Sequence, residues 1–489
     1  MPQIVPSRED VTSLACDALV VGAHVRDDGI ELSPPAAAID DALGGRLHEA
    51  LSQSGFKATT GTVHVIPTLG NLPAGAIVVV GLGSDAPVQL ATVRRAAAAA
   101  ARRISERHQV ASALHEGIKG GERAAAEGFL LGSYRFAKYK NHPRTLKIER
   151  IVMPGADADE IARGIVYAEA TTLARDLTNE PADVLTPAEL ADRARAAAEV
   201  GGFECSVLDE TELLNAGYGG LIAVGGGSAA PPRLVRLRYA GGDAGVGVPK
   251  IALIGKGITY DYGGLTIKTA ANMETMKTDM GGGAAVIAAV SALARLHAAA
   301  DVVAYVPCAE NMIGPAAMRP GDVIHHYGGR TTEMVNADAE GRLVLADAIA
   351  RANEDEPDVM VDIATLTGHM SVALGKKIAG LFATDDELAT ELTAAGEAAG
   401  ERFWRMPLPD DYMSDLDSDI ADAKNSGSRY GGGITAALFL KAFVGPRIPW
   451  AHLDIAGTGR AESDSDDISK GATGFGTRTL IEWVEGRAK

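Results

Sequence analysis

The chain has 489 residues, more than one hydrophobic core usually serves, so two domains are expected. Its 64 Asp and Glu against 46 Lys and Arg leave a formal charge of −18, which argues against a general nucleic-acid surface or a hold on anionic membrane. Three cysteines, Cys16, Cys205 and Cys308, are odd in number and far apart, which excludes a disulfide framework or a CxxC metal site and fits a reducing cytoplasm.

The opening residues, MPQIVPSREDV, carry acids early and no basic-then-apolar pattern, so a secretory signal is not expected. DALVVGAHV (17–25) and AIVVVGLG (76–83) read as buried strands, and the Ala-rich stretches between such runs read as helices, which together indicate α/β layers. AIVVVGLGSDA (76–86) follows a strand with GxGxxA, as dinucleotide sites do. A Rossmann fingerprint, however, wants an acid about twenty positions later at the end of a second strand. Here VRRAAAAAARRISER (93–107) follows, a helix, so nucleotide binding is not favoured. The basic stretches at 94–107 and 135–147 are expected on solvated faces. EIARGIVYAEATTLARDL (160–177) reads as an amphipathic helix at the domain junction, giving an α/β domain over residues 1–158, a connecting helix over 159–178 and a second domain over 179–489. GGGS (225–228) lacks the GKS or GKT of a phosphate loop and reads as a turn. The apolar segment 283–300 is broken by Arg295 and His297, so a packed helix is expected and not a membrane span.

Two acidic clusters carry the chemistry. The first follows KIALIG (250–255), a buried strand, and reads GKGITYDYGGLTIK (255–268), with TDMGG (278–282) soon after. Lys256 and Asp261 then fall at the C-terminal edge of an open sheet, where ligands bind in α/β folds. Asp279 stands just before an Ala-rich helix whose first-turn glycines permit close approach. The second cluster is VNADAEGRL (335–343). Read as extended chain, it would point Asp338, Glu340 and Arg342 the same way, ahead of a helix beginning near 342. Anions are favoured at such a helix N-terminus.

Four carboxylates and two lysines among glycines and apolar residues are a poor setting for solvated charge; they need partners or metal. Two divalent ions about 3.5 to 4 Å apart can share a bridging water, lower its pKa and polarise a carbonyl. A lysine can ligate only as the neutral amine, and a second, charged lysine would be free to stabilise an oxyanion. Oxygen-rich ligation with one amine suits Mn, Mg, Co or Zn, and the absence of an HExxH pair excludes the helix-borne one-zinc arrangement. His325 and His326, adjacent in sequence, would point apart in extended chain and are expected to be ordinary polar or packed residues, as is His452.

These motifs resemble the cytosolic leucyl aminopeptidases, a family of two-metal hexameric peptidases. The resemblance extends over ARDLTNEPADVLTP (174–187), PPRLVRLRY (231–239), DIATLTG (362–368), KNSGSRYGGGITAALFL (424–440) and WAHLDIAGT (450–458), and in the first half over EGFLLGSYRFAKYK (127–140). It implies a smaller, macro-like N-terminal α/β domain and a larger catalytic α/β domain with a mixed sheet flanked by helices. It implies that Asp261 and Glu340 bridge two metals, Zn or Mn foremost, that Lys256 and Asp279 complete the tighter site, and that Asp338 completes the exchangeable one. Lys268 would contact the scissile carbonyl, and Arg342 would hold a bicarbonate ion acting as general base toward the bridging water. Met276, Asn336, Thr365, Leu366 and Gly368 would line the substrate, with leucine and other apolar N-terminal residues preferred. The partners implied are peptides and five further copies, a dimer of trimers; members of the family can also bind DNA as a second role.

Three flanking positions depart from the family pattern: Tyr262 replaces Ser, Thr269 replaces Pro and Ala337 replaces Thr. Changes beside metal ligands cost roughly ten- to a hundredfold in affinity or activity. Two other readings stand beside the peptidase: a dimetal hydrolase of phosphate esters, and a noncatalytic assembly or DNA-binding protein that keeps the fold.

Overall fold

The computed structural model describes residues 1–27, 29–143, 146–241 and 248–488. Its contacts divide the chain into Met1–Thr172 with Glu462–Lys470, and Leu173–Ala461 with Gly471–Lys489. The division falls inside the long helix Ala158–Asn179.

The first unit is built on a sheet of strands β1 (Gln3–Ser7), β2 (Ala18–Arg26), β3 (Gly29–Leu32), β4 (Val63–Pro67), β5 (Ala76–Gly81), β6 (Gln109–Ser112) and β7 (Arg150–Pro154). Their order is β1-β7-β6-β2-β5-β4, with β3 paired to β2. From β1 to β5 every neighbouring pair is parallel, while β4 runs antiparallel to β5. All six residues of β5 are buried, which is why AIVVVG is a continuous apolar run with no polar alternation. Helices α1 (Pro34–Ala42), α2 (Arg46–Gln53), α3 (Leu90–Arg103) and α4 (Gly121–Ser133) supply the layers. A Cβ on Gly128 of α4 would lie 2.2 Å from the carbonyl oxygen of Arg94, so glycine lets α3 and α4 touch. Arg94 is only 2% exposed and pairs with Glu127 at 2.5 Å, so this member of the basic stretch braces two helices from inside. The stretch at 135–147 includes two residues outside the described set.

Residues 462–470 join this unit from near the far end of the chain. Arg102 holds them: its Nε donates to the carbonyl of Asp466 at 2.8 Å, its Nη2 to that of Ile468 at 2.9 Å, and its Nη1 lies 3.1 Å from Asp464 Oδ2.

The second unit contains a mixed sheet of β8 (Glu204–Leu208), β9 (Arg233–Ala240), β10 (Lys250–Gly255), β11 (Gly257–Asp261), β12 (Asp301–Asn311), β13 (Val359–Ala364), β14 (Ile378–Ala383), β15 (Arg402–Arg405) and β16 (Trp450–Asp454). The order is β15-β14-β16-β13-β10-β12-β9-β8, with β11 paired to β12. Strands β16, β13, β10 and β12 are mutually parallel and deliver their carboxyl ends to one edge. Between them run α5 (Gly281–Arg295) and α6 (Gly341–Ala352). Twelve of the fifteen α5 residues are buried, in keeping with its nearly unbroken apolar sequence. A Cβ on Gly282 would fall 2.0 Å from the carbonyl of Ile363, so glycine brings the start of α5 against β13 and Asp279 to the edge. No helix among the described residues is long and apolar enough to cross a membrane.

Candidate metal centre

Every acidic and basic residue of the two clusters arrives at this edge. Lys256 is the first residue after β10 and Asp261 the last of β11. Asp279 lies on the helical turn Met276–Met280 that runs into α5, and Glu340 is the N-cap of α6. Lys256 Nζ lies 2.7 Å from Asp279 Oδ2 and 2.8 Å from Glu340 Oε1. Lys268 Nζ lies 2.7 Å from Asp261 Oδ2 and also contacts Asp338 Oδ1. Asp261, Asp338 and Glu340 each offer a carboxylate oxygen, and these oxygens lie within 4.8 Å of one another. Asp279 joins the group through Lys256.

The route by which Asp338 and Glu340 meet differs from the expected extended segment. Asn336 O accepts from Ala339 N at 3.2 Å, closing a turn, and Glu340 already has helical backbone angles, φ −75° and ψ −36°. Alternation therefore does not place them; turn and helix start do. The reason is Asn425, fully buried: its Oδ1 accepts from Val335 N at 2.9 Å and Asn336 N at 3.2 Å, and its Nδ2 donates to Asn336 O at 2.7 Å. Asn336 Oδ1 in turn accepts from Asp338 N at 2.9 Å. Gly341 then begins α6 against Lys256, where a Cβ would lie 2.6 Å from the ammonium nitrogen.

Asn311 plays the matching part for the first cluster. Its Nδ2 donates to Asp261 Oδ1 at 2.8 Å and to Ala337 O at 2.9 Å, tying the two clusters together. Gly263, at φ +88°, donates its N–H to Asp261 Oδ1 at 2.9 Å. Thr365 Oγ1 donates to Asp279 Oδ1 at 2.6 Å. The buried carboxylate of Asp454, at the end of β16, accepts from Leu366 N, Thr367 N and Thr367 Oγ1 at 3.2, 3.1 and 2.7 Å. Asn311, Asn425 and Asp454 were not singled out in the sequence, although the last two stand within the family-like segments 424–440 and 450–458.

The three departures from the family pattern are accommodated. Ala337 is buried beside Gly264, and its N–H donates to Thr266 Oγ1 at 3.0 Å. The Tyr262 carbonyl accepts from Lys268 N at 3.2 Å, and Thr269 caps a short helix, accepting from Asn272 N at 3.4 Å. Met276, Asn336, Thr365 and Leu366 are half-buried and Gly368 exposed. His326 is buried between Asp347 and Thr332 at 2.9 and 3.0 Å, while His325 is exposed, so the adjacent pair does point apart. His452 is buried against Asp362 at 2.6 Å, outside the carboxylate cluster.

Four carboxylates face two ammonium groups, so the site gathers more acids than bases, and all of the acids but Asp338 are buried. Burial, then the nearby Glu340 charge, pushes Asp261 up to about 7. Burial raises Asp279 well above the usual carboxylate range and raises Asp338 as well. Burial also works against the Glu340 anion, but Lys256 and Lys268 outweigh it and hold that carboxyl below its usual range. For Lys256, burial opposes charge, yet Asp279, Glu340 and Asp261 overcome it and favour the ammonium form. Glu340 Oε2 is buried without a hydrogen bond. Surplus buried anionic oxygen, close-set and partly unbonded, fits divalent cations far better than further lysines.

Comparison with known proteins gives the same reading. Residues 172–481 match the model of the cytosol aminopeptidase family, catalytic domain, and residues 20–143 match its N-terminal domain. The chain belongs to the cytosol aminopeptidase family. A probable cytosol aminopeptidase of Rhodococcus jostii strain RHA1 is 43% identical, over 96% of this chain and 94% of its own. One of Mycobacterium bovis strain BCG / Pasteur 1173P2 is 46% identical, over 86% and 84%. Among solved structures, a mutant of tomato leucine aminopeptidase is 33% identical with a TM-score of 0.88, covering 99% of this chain and 97% of its own. The bottromycin maturation enzyme BotP in complex with Mn is 38% identical with a TM-score of 0.87, covering 97% and 100%. As a member of that family, the protein is a metal-dependent peptidase hydrolase.

One prediction arises directly from the clamp. Asn425→Ala removes the side-chain bonds that hold the 335–339 backbone, and a drop of roughly ten- to a hundredfold in metal affinity or turnover is expected. Metal titration of the stripped variant, read by restored hydrolysis, checks it; wild-type affinity and rate would show that the turn holds without Asn425.

Proposed function

We propose that the protein releases N-terminal amino acids, leucine and other apolar residues foremost, from peptides, with two divalent ions per subunit held by Lys256, Asp261, Asp279, Asp338 and Glu340. The observation that carries this reading is the convergence of four carboxylates on two ammonium groups at one strand edge, three of them offering oxygens within 4.8 Å of one another. In this reading Asp261 and Glu340 would be shared by the two ions, Lys256 and Asp279 would hold the tighter one and Asp338 the exchangeable one. Zinc or manganese is favoured, with magnesium or cobalt as alternatives, and the Mn complex of BotP supports manganese. When bound, such ions polarise a carbonyl and bring the pKa of water toward neutrality.

The chain's own groups do the positioning. Thr365 and Lys256 fix Asp279, while Asn311 and Gly263 fix Asp261. Lys268 keeps its charge, because Asp261 and Glu340 outweigh the cost of its burial, and it stabilises negative charge developing on the scissile carbonyl oxygen. Arg342 donates Nη1 to Asn425 O at 2.8 Å, while its buried Nε has no hydrogen bond. That free donor suits a bicarbonate ion, which would supply the general base. Burial lowers Arg342 to about 10, against the pull of Glu340 and Asp454, so it stays cationic at neutral pH. Met276, Asn336, Thr365, Leu366 and Gly368 form the pocket for the N-terminal side chain. We place the enzyme in the cytoplasm as a hexamer of two trimers.

Hydrolysis of leucine p-nitroanilide tests the reading, using protein stripped of metal and reloaded with Zn or Mn, beside Asp338→Ala/Glu340→Ala. Metal-restored release by wild type and none by the double variant is expected. A fully metallated wild type inactive on this and on Leu, Ala, Met and Cys-Gly peptides would refute it.

The carboxyl shifts add a pH prediction. Asp261 has a folded-state value near 7, above its unfolded value of 3.8, so the metal-free protein loses stability as pH rises between the two. Metal requires the deprotonated carboxylates and a neutral Lys256, so its binding strengthens with pH. The rise in unfolding temperature on adding Mn should therefore be larger at about pH 8 than at about pH 5.5. Equal shifts by scanning calorimetry would contradict it.

A further inference from the structure

The first unit holds a cavity of about 600 Å³, within the size range of small-ligand sites, about 300–1,000 Å³. It lies beyond the carboxyl ends of β5 and β6, against the projecting half of β2. The chain passes from β2 through α1 and α2 to β5 on one side, then through α3 to β6 on the other. Such a switch in strand order opens a crevice where open α/β sheets bind ligands.

What distinguishes this crevice is an unsatisfied polar floor. Ser33 is only 8% exposed, lines the cavity, and its hydroxyl has no hydrogen bond. Ser33 is the N-cap of α1, but Pro35 at the second helical position has no N–H to give, and the amide of Ala36 at the third makes no bond to the hydroxyl. His24, also in the wall, has a buried Nδ1 without a partner, and burial lowers its pKa, which keeps the ring neutral at physiological pH. Buried polar atoms left unbonded are uncommon and invite an explanation.

A second feature points to an anion. Helix α3, of fourteen residues, presents its N-terminus here through Gln89 and Leu90. Gln89 forms no side-chain cap and the first turn has no acidic residue; the Thr92 amide donates to Gln89 O at 2.9 Å, which leaves the Leu90 and Ala91 amides and the positive end of the helix dipole to a ligand. Lys119 adds positive charge to the wall; Glu116, the opposing carboxyl, has its pKa raised by burial and by Asp10. Leu82, Val88, Leu114 and Ile118 make apolar sides suited to a flat ring.

We propose that this cavity binds a nucleoside monophosphate, with its phosphate at the N-terminus of α3 and its base between the apolar sides, edge-on to Ser33 and His24. This differs from the dinucleotide fingerprint considered for residues 76–86: the helix start recruited is Leu90, beyond the glycines.

The test is calorimetric titration of the full-length, metal-loaded enzyme with adenosine 5′-monophosphate, adenosine and inorganic phosphate. Hydrogen exchange is recorded with and without the nucleotide. Expected is binding of the monophosphate at least tenfold tighter than either part, with protection gained at 82–90 and 113–119. Ser33→Ala and Val88→Trp should each weaken it at least tenfold while leucine p-nitroanilide hydrolysis stays unchanged. No binding, binding matched by phosphate or adenosine alone, binding unaffected by both variants, or protection only at the carboxylate site would each overturn the proposal. Should either variant fail to fold, exchange protection in the wild type decides.

Discussion

Asp261→Asn is expected to abolish metal-restored hydrolysis, by about a thousandfold or more, while leaving the metal-free protein at least as stable as wild type near pH 8. The first part follows from charge: metal stabilisation worth several kcal/mol corresponds to about three powers of ten in rate. The second follows from burial. Asp261 is driven to about 7 by burial and by Glu340, so its ionised form costs the folded state free energy that asparagine does not. Asn311 and Gly263 bond Asp261 Oδ1, which asparagine retains, whereas the ion pair of Oδ2 with Lys268 is lost. With Asp338 still contacting Lys268, relief of repulsion among four carboxylates is the larger effect. Domains of about 150–250 residues rise by roughly 2–4 °C for each kcal/mol, and this larger unit rises by less. Calorimetry of stripped protein and assays after reloading measure both halves; a fall in the metal-free transition, or retained activity, would count against the account. It is a case of stability given up at a functional site.

Lys268→Met should act differently. The stem remains, the charge goes, and turnover is expected to fall by roughly a hundred- to a thousandfold, as when one oxyanion donor is removed. Metal content should not fall, because the variant leaves the carboxylates more negative. Turnover and bound metal, measured on the same preparation, separate the roles: lost metal would make Lys268 a counter-charge, and unchanged turnover would remove it from the reaction.

Much of this was legible in the sequence because the signals are local. KIALIG is an unbroken apolar strand, and the charges that follow it had to lie at its carboxyl end. GGGAAVIAAVSALAR could only be a buried helix, and its glycines announced close contact. The family motifs singled out the charged residues that the structure gathers at one edge. The NADAEG segment was misread as extended because the periodicity of residues carries no information on a clamp ninety positions away; Asn425 sets that turn through backbone bonds. Asn311 and Asp454 escaped for the same reason, since a buried amide or carboxylate serving backbone groups has no spacing rule. Arg94 looked like surface charge until the touching helices put it beside Glu127.

The return of residues 462–470 to the first unit bears on how the molecule comes to exist. A chain made from its N-terminus delivers β1 to β7 and α1 to α4 early, yet Arg102 then has none of Asp464, Asp466 or Ile468 to meet. Domains generally fold as units during synthesis, N-terminal first. Here the earliest-made part is finished by nearly the last, so its final ion pairs and backbone contacts form only after the catalytic sheet has been translated. A nascent first unit thus leaves Arg102 without these partners until residues 462–470 have been made.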